Sequence, residues 1–434
     1  MRPSHQQPFV ELLLFSLISS HLCEICEVSE RNNFRLDPLL NAMTKSNYIR
    51  GTESANVLFS LRLVGILNQT LIQGLSQQVR SYAEVMRSLR INLSSGQLAL
   101  IIMALGACHT QDENFIGKHH LVDHLENKFQ AEIKNMEEHN GSPLTNYYQL
   151  SLDVLALCLF NGTYSPTKVA GLFAPENENY YFHGQFSVGT GAMAVLALTC
   201  VKRRLGKEQT KADEDLKHTE NNIRTLVKKI LSKKKENGLI GNTFSTGAAM
   251  QALFVSSSYY NESDWNCQQT RDTILKEISL GIFKNPDAAA QILPSLLGKT
   301  YLDVNQASPC AHLLGNINIS IQEPQPVAPN SSSYISVHYS VKINETYSTE
   351  VNVSRGSVFL EVMEEAQKEN KTIFGFTVEQ SSWGPYVTSV QGLRANNNDK
   401  TYWEIMSGGK PLDQGIGSYV VHNGENLEVR WSTY

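Results

Sequence analysis

The sequence predicts an α+β protein of two domains: a ring of stacked helical hairpins followed by a small β-rich domain. Three observations carry this. Apolar Ala/Leu-rich segments recur every ~40–50 residues through the first two thirds of the chain. From Tyr334 onward the apolar period changes to two. Between these regions, Asn316–Ser333 is polar, contains Pro324, Pro326 and Pro329 and ends on a run of three serines, and reads as a linker.

The chain opens on Arg2 and His5, an apolar stretch over Phe9–Leu17 that includes Glu11, and then Ser19 and Ser20. A short charged region, an apolar core and small residues are the pattern of a secretory signal. Small residues favour cleavage after Ser20. Cysteine parity favours Cys23, because removing it leaves six of the seven cysteines, an even set that suits an oxidising compartment. The expected organisation is a signal over 1–23, a helical domain over 24–310, a linker over 311–333 and a β-rich domain over 334–434.

Asn-X-Ser/Thr sequons agree with export. They occur at Asn68, Asn92, Asn161, Asn261, Asn318, Asn330, Asn344, Asn352 and Asn370. Asn140 is set apart because Pro143 follows its acceptor Ser142.

The apolar segments Leu98–Cys108, Leu150–Phe160, Gly191–Cys200, Gly247–Val255 and Ala288–Leu297 are apolar nearly all round, as buried helices are. Segments between them, such as Leu121–Glu137, are charged and amphipathic. Alternating inner and outer helices mean stacked hairpins, and about six fit before the linker, enough to close a ring. An open solenoid is the other arrangement with this period. It is disfavoured because the cysteines would have to join distant repeats.

After the linker, Ile335, Val337, Tyr339, Val341 and Ile343 share one face of an antiparallel strand. Further strands are expected at Val351–Val353, Gly375–Val378, Tyr386–Val390, Tyr402–Ile405, Tyr419–Val421 and Leu427–Trp431, with one helix over Ser357–Lys368. Gly408–Gly409 and Asn423–Gly424 read as turns, the second as a hairpin turn.

Composition excludes several functions. Hydrophobic residues are 41% and charged residues 18%, which favours a globular chain. The net charge of −5 argues against a nucleic-acid binder. No apolar run beyond the N-terminus is long enough to span a membrane. The chain has no G-x-S-x-G, P-loop or H-E-x-x-H motif. His119–His120 reads as surface decoration rather than a metal site, so neither a catalytic residue nor a protein-bound metal is expected. An exported toroid hydrolase with scattered carboxylates is the competing class.

Neutral polar residues gather at the starts of the buried helices: Gln97, Thr145, Gln149, Ser187, Thr190, Asn242 and Ser245, with Gln291 inside the last. Ser, Thr and Asn there suit N-caps, a role that does not account for the glutamines. Amides and hydroxyls both donate and accept hydrogen bonds. A rim of them suits a large neutral ligand rich in amides.

The stretches SSGQLAL at 94–100, LTNYYQLSLDVLALCLF at 144–160, FSVGTGAMAVLALTC at 186–200, GLIGNTFSTGAAMQALF at 238–254, AAAQILPSLLGKTYLDV at 288–304, SWGPYVTSVQGL at 382–393 and YWEIMSGGKPL at 402–412 resemble the cobalamin carriers, most closely their haptocorrin branch. The resemblance covers the whole chain. It implies an α6/α6 toroid, a β-rich domain, and cobalamin or related corrinoids held between them as cargo, in a secreted monomer that sequesters or transports its ligand without catalysis. A cell-surface glycan receptor is left open as a partner.

The resemblance also implies the pairs Cys26–Cys267, Cys108–Cys310 and Cys158–Cys200. It places Gln97, Thr145, Gln149, Asn242, Ser245 and Gln291 against the corrin amides. Trp383, Gly384, Pro385, Tyr386 and Val387 fall on a loop that closes on the ligand, and Trp403, Glu404 and Ile405 on a second contact.

Three departures stand out. Phe186 replaces the cobalt-ligating histidine of transcobalamin-like members, so no protein group need coordinate cobalt. Gly189, before Thr190, replaces an aspartate that accepts from a ligand amide, and is expected to loosen the turn before the helix. Ser389 and Arg394 stand where related sequences carry an extra cysteine pair.

Overall fold

The computed structural model describes residues 26–45, 51–66, 68–88, 93–109, 112–182, 184–206, 213–309, 334–381, 384–412, 415–417 and 419–433. The expected signal, Cys310, the expected linker, Asn92, Asn318, Asn330 and Trp383 lie outside them.

The first domain contains helices α1 (Asp37–Lys45), α2 (Thr52–Leu63), α3 (Gln69–Ser88), α4 (Ser95–Leu105), α5 (Asp112–Lys118), α6 (Leu121–Glu138), α7 (Tyr147–Leu159), α8 (Pro166–Leu172), α9 (Val188–Leu205), α10 (Asp213–Leu231), α11 (Thr243–Val255), α12 (Cys267–Ser279) and α13 (Pro286–Leu296). Helices α2, α4, α7, α9, α11 and α13 are buried along most of their length. Each touches the next, and α13 returns to α2. The inner layer is therefore a closed ring rather than an open solenoid. Its first member, α2, is absent from the apolar segments read in the sequence because Thr52, Glu53, Ser54, Asn56 and Ser60 dilute its apolar run.

Outer helices turn one stripe inward. In α3 the buried residues are Leu75, Val79 and Ala83, four apart, with Ser76 beside the first. Cys26 is bonded to Cys267 and Cys158 to Cys200. Cys108 is also disulfide-bonded.

One buried charge ties four helices together. Arg62 of α2 is 5% exposed. Its guanidinium donates to the carbonyls of Ala104 at 2.7 Å and Leu105 at 3.0 Å, at the end of α4. It also donates to Ser76 Oγ of α3 at 2.9 Å and to the Asp112 carboxylate of α5. Arg80 pairs with the same carboxylate at 3.1 Å.

The second domain is built on strands β1 (Tyr334–Lys342), β2 (Thr346–Ser354), β3 (Phe376–Ser381), β4 (Gly384–Val390), β5 (Leu393–Arg394), β6 (Thr401–Ser407), β7 (Lys410–Pro411) and β8 (Asn426–Thr433). A five-stranded sheet has the order β7-β6-β8-β1-β2, and a three-stranded one β3-β4-β5. Ile335, Val337, Tyr339 and Val341 face the core, against the helix Phe359–Glu369. Strand β1 is antiparallel to β2 but parallel to β8, so the antiparallel expectation holds on one side only.

Two expectations fail locally. Tyr419–Val421 is not a strand; it makes the single bridge Val358–Val420. Asn423–Gly424 is consequently a turn into β8 rather than a hairpin. Asn423 Oδ1 is occupied in accepting from the Ser336 amide at 3.0 Å.

Candidate functional site

Inner helices α4, α7, α9 and α11 begin at N-caps Ser94, Asn146, Ser187 and Asn242, whose side chains accept from first-turn amides. All four caps line one wall of a cleft of about 2530 Å³. Ordinary ligand pockets are about 300–1,000 Å³. The partly positive helix N-termini thus face the cleft, where they favour ligand acceptor groups. The opposite wall comes from the β-domain, including Pro385, Tyr386, Val387, Trp403, Glu404 and Ile405.

The structure brings together many of the residues expected at the site. Thr145, Thr190, Asn242 and Ser245 line the cleft from the ring side. Thr145 Oγ1 is buried without a hydrogen-bond partner, as is the Trp403 indole N–H. Both are unspent groups in the wall. Trp403 serves two roles, since it also packs in the β-domain core, its ring 5.0 Å from that of Trp431. The Tyr386 hydroxyl donates to Glu379 Oε2 at 3.3 Å. Burial, then the neighbouring Glu379, pushes that phenol well up, so it stays a donor. Glu404 accepts from Ser432 Oγ at 3.2 Å and from the Tyr402 hydroxyl at 3.3 Å.

Others are placed differently. Gln97 is not on the described cleft wall. It occupies N3 of α4 and closes a capping box with Ser94, its Oε1 accepting from the Ser94 amide at 2.9 Å. Capping therefore does account for this glutamine. Gln149 is 2% exposed and lies behind the wall, against Gly96. Gly189 and Gln291 line a separate small hollow with Gln251 and Tyr301; Tyr148 and Ser245 border both spaces. Gly189 stands inside the first turn of α9, not in the turn before it. Gly384 lies on β4.

Phe186 lines the cleft and is 8% exposed. The Lys229 ammonium sits 5.9 Å from its ring centre. No group of three His, Cys, Asp or Glu side chains suited to a metal occurs among the described residues.

Sequence reasoning missed the segment Glu176–Tyr180, which lines the cleft between α8 and α9. Asn177 donates to the Tyr147 hydroxyl at 2.6 Å, and Asn179 to the Gly141 carbonyl at 3.0 Å. It also missed Asn396–Asn398, the β-domain turn that touches the ring. Asn397 Nδ2 donates to the Thr145 carbonyl, and the side-chain amide of Asn135 to Asn398 Oδ1 at 3.1 Å. Glu132 braces the ring side of this contact, accepting from the Thr145 amide at 3.1 Å and from Ser95 Oγ at 3.1 Å. The run of three asparagines was the available signal.

Charges around the cleft are mixed. Arg87, Lys128, Lys233, Lys235, Arg394 and Lys400 are nearly offset by Glu132, Glu176, Glu178, Glu379 and Glu404. No single sign dominates, as suits a large ligand recognised through amides and apolar surface.

The family model described as eukaryotic cobalamin-binding protein matches residues 8–331. The chain belongs to the eukaryotic cobalamin-binding protein family. A second model, for a domain of unknown function, matches residues 356–433. Transcobalamin-1 of Homo sapiens is 67% identical over 436 residues, covering 100% of this chain and 100% of the relative. Cobalamin binding intrinsic factor of Homo sapiens is 35% identical, covering 91% of this chain and 89% of the relative. Transcobalamin-2 of Mus musculus is 30% identical, covering 96% and 98% respectively. Among solved structures, the crystal structure of haptocorrin in complex with Cbi matches with a TM-score of 0.81 and 65% identity, covering 95% of this chain and 100% of that one. The helical domain followed by a β-domain is thus the architecture of this cobalamin-carrier family.

Proposed function

We propose that this chain is a carrier of the haptocorrin type, which binds cobalamin and related corrinoids in the cleft between its domains and transports or sequesters them without catalysis. The observation that carries this reading is the cleft itself, about 2530 Å³, walled by both domains of a chain from the cobalamin-binding family. The wall chemistry suits the ligand. Corrin edges carry amides, and the cleft offers helix N-termini, the Thr145 hydroxyl and the Trp403 N–H. Phe186 presents an apolar ring where transcobalamin-like members place a histidine, so the cobalt arrives with its own ligands and keeps them.

The tethered domains act together. Once the ligand is held by one wall, the linker keeps the other at high effective concentration, which slows escape. The reading includes export after removal of residues 1–23, a connecting segment over 311–333, and action as a monomer. No helix among the described residues is long and apolar enough to cross a membrane. Asn161, Asn261, Asn344, Asn352 and Asn370 are exposed, as glycan acceptors must be, while Asn68 is half-buried. A cell-surface glycan receptor belongs to the same reading.

Limited proteolysis tests the closure. Cobalamin should slow cleavage within 311–333; equal rates with and without it would remove the closing step from this account.

A further inference from the structure

Gln149 and Asp153 of α7 are 2% and 0% exposed, and none of their four terminal polar atoms has a hydrogen-bond partner. Spaced i, i+4, they share one face of the helix. Gln149 is wedged against the first turn of α4: a Cβ on Gly96 would lie 2.6 Å from its Cγ. The groups that face Asp153 from the packed helices are Ser95 of α4 and Lys128 and Glu132 of α6. Ser95, Lys128 and Glu132 also line the cleft, beside Thr145 and Asn146.

An ionised carboxylate is poorly placed here. Burial opposes its charge most strongly and Glu132 repels it, against the weaker pull of the Ser95 hydroxyl and, weakest of all, of Lys128. The balance pushes the Asp153 carboxyl well above the ordinary carboxylate range. A neutral carboxyl has one O–H donor and a carbonyl acceptor, and a primary amide has the matching acceptor and donors. In a pairing of the two, the carboxyl O–H would donate to Gln149 Oε1 and Gln149 Nε2 would donate to the carboxyl oxygen. A carboxylate could accept from Nε2 but would leave Oε1 unpaired.

We propose that Asp153 is a positioning residue for the ligand site: as a neutral acid it pairs with the Gln149 amide, and that pair sets the ends of α4 and α7 that present Ser95, Thr145 and Asn146 to the cleft. The role of the cleft rests on the corrinoid reading above; the acid–amide pair does not. The linkage has a definite sign. A carboxyl neutral in the folded chain and ordinary in the unfolded one contributes stability in acid, and that contribution is lost as pH rises through the folded value. Asparagine at 153 keeps a donor and an acceptor and has nothing to lose with pH.

The test compares the full-length glycosylated chain with Asp153→Asn and Asp153→Leu. Thermal midpoints without ligand are followed from about pH 4 to about pH 8, and cobalamin dissociation is timed at neutral pH. Asp153→Asn should match the unaltered chain in acid, exceed its midpoint at the alkaline end, and hold cobalamin within about twofold of its dissociation rate. Asp153→Leu, which strands the amide, should release cobalamin at least about tenfold faster. Should Asp153→Leu fail to fold, the asparagine variant decides alone. Parallel pH profiles for the unaltered chain and Asp153→Asn, or fast ligand loss from Asp153→Asn, would overturn the proposal. Failure of every chain, altered or not, to retain cobalamin would sink the corrinoid reading, while the melting series would still decide the state of Asp153.

Discussion

The side-chain amide of Asn397, on the β-domain, donates to the main-chain carbonyl of Thr145 on the ring. The same Thr145 gives its amide to the buried Glu132 carboxylate and carries an unpaired hydroxyl in the cleft wall. Contact between the domains and the wall of the cleft therefore converge on one residue. Asn397→Ala should loosen the closed arrangement without touching either core. Loss of one hydrogen bond is worth about 1 kcal/mol, or about fivefold in rate. Stopped-flow or chase measurement of cobalamin release should show that acceleration. An unchanged rate would mean that this contact does not hold the cleft shut.

Gly189 is the second position to alter. It lies in the first turn of α9, where a carboxylate is favoured by the helix dipole, and it borders the hollow beside the cleft. Hydrogen bonds to a charged group contribute roughly 1.5–3 kcal/mol, or roughly 10- to 150-fold in affinity. Gly189→Asp should slow cobalamin dissociation at least about tenfold. No slowing would show that this position does not limit binding.

Ser389 and Arg394 sit directly opposite each other in the β4–β5 ladder. Arg394 instead pairs with Glu379 at 2.8 Å. Cysteines at both positions would face one another across adjacent strands, within reach of a bond. Ser389→Cys with Arg394→Cys should oxidise to a disulfide and stabilise the β-domain by roughly 2 kcal/mol for so short a loop. Mass mapping without reduction would reveal it; persistent free thiols would show that the ladder is not held in this register.

Asp112→Ala should be the most damaging of these changes. It leaves the Arg62 guanidinium buried without its carboxylate, although the carbonyls of Ala104 and Leu105 remain. Breaking a buried ion pair on one side costs about 3–5 kcal/mol. Denaturant unfolding should show a loss of that order, and a loss below about 1 kcal/mol would match an exposed pair instead.

The sequence made the architecture legible wherever one periodicity ran unbroken. The uniformly apolar inner helices and the period-two strand β1 could be read directly, because burial on all sides or on one face leaves a repeating mark. Helix α2 could not, since its buried serines and threonine carry no such mark. Site residues were legible as types but less so as positions. Gln97 reads as a ligand group by its type, while the structure spends its side chain on a capping box with Ser94. The Asn397–Thr145 contact joins residues 252 apart, and neither local pattern nor propensity encodes such a pairing. Asp153, likewise, reads as one polar residue in an apolar helix until its neighbours are known.

The central claim is that the cleft between the domains takes up a corrinoid, and visible absorbance during titration with cobalamin tests it most directly. The account predicts a coloured protein that retains one equivalent after gel filtration, with the corrinoid bands shifted from those of the free ligand. A chain that emerges colourless, with all the cobalamin left in the small-molecule fractions, would contradict it.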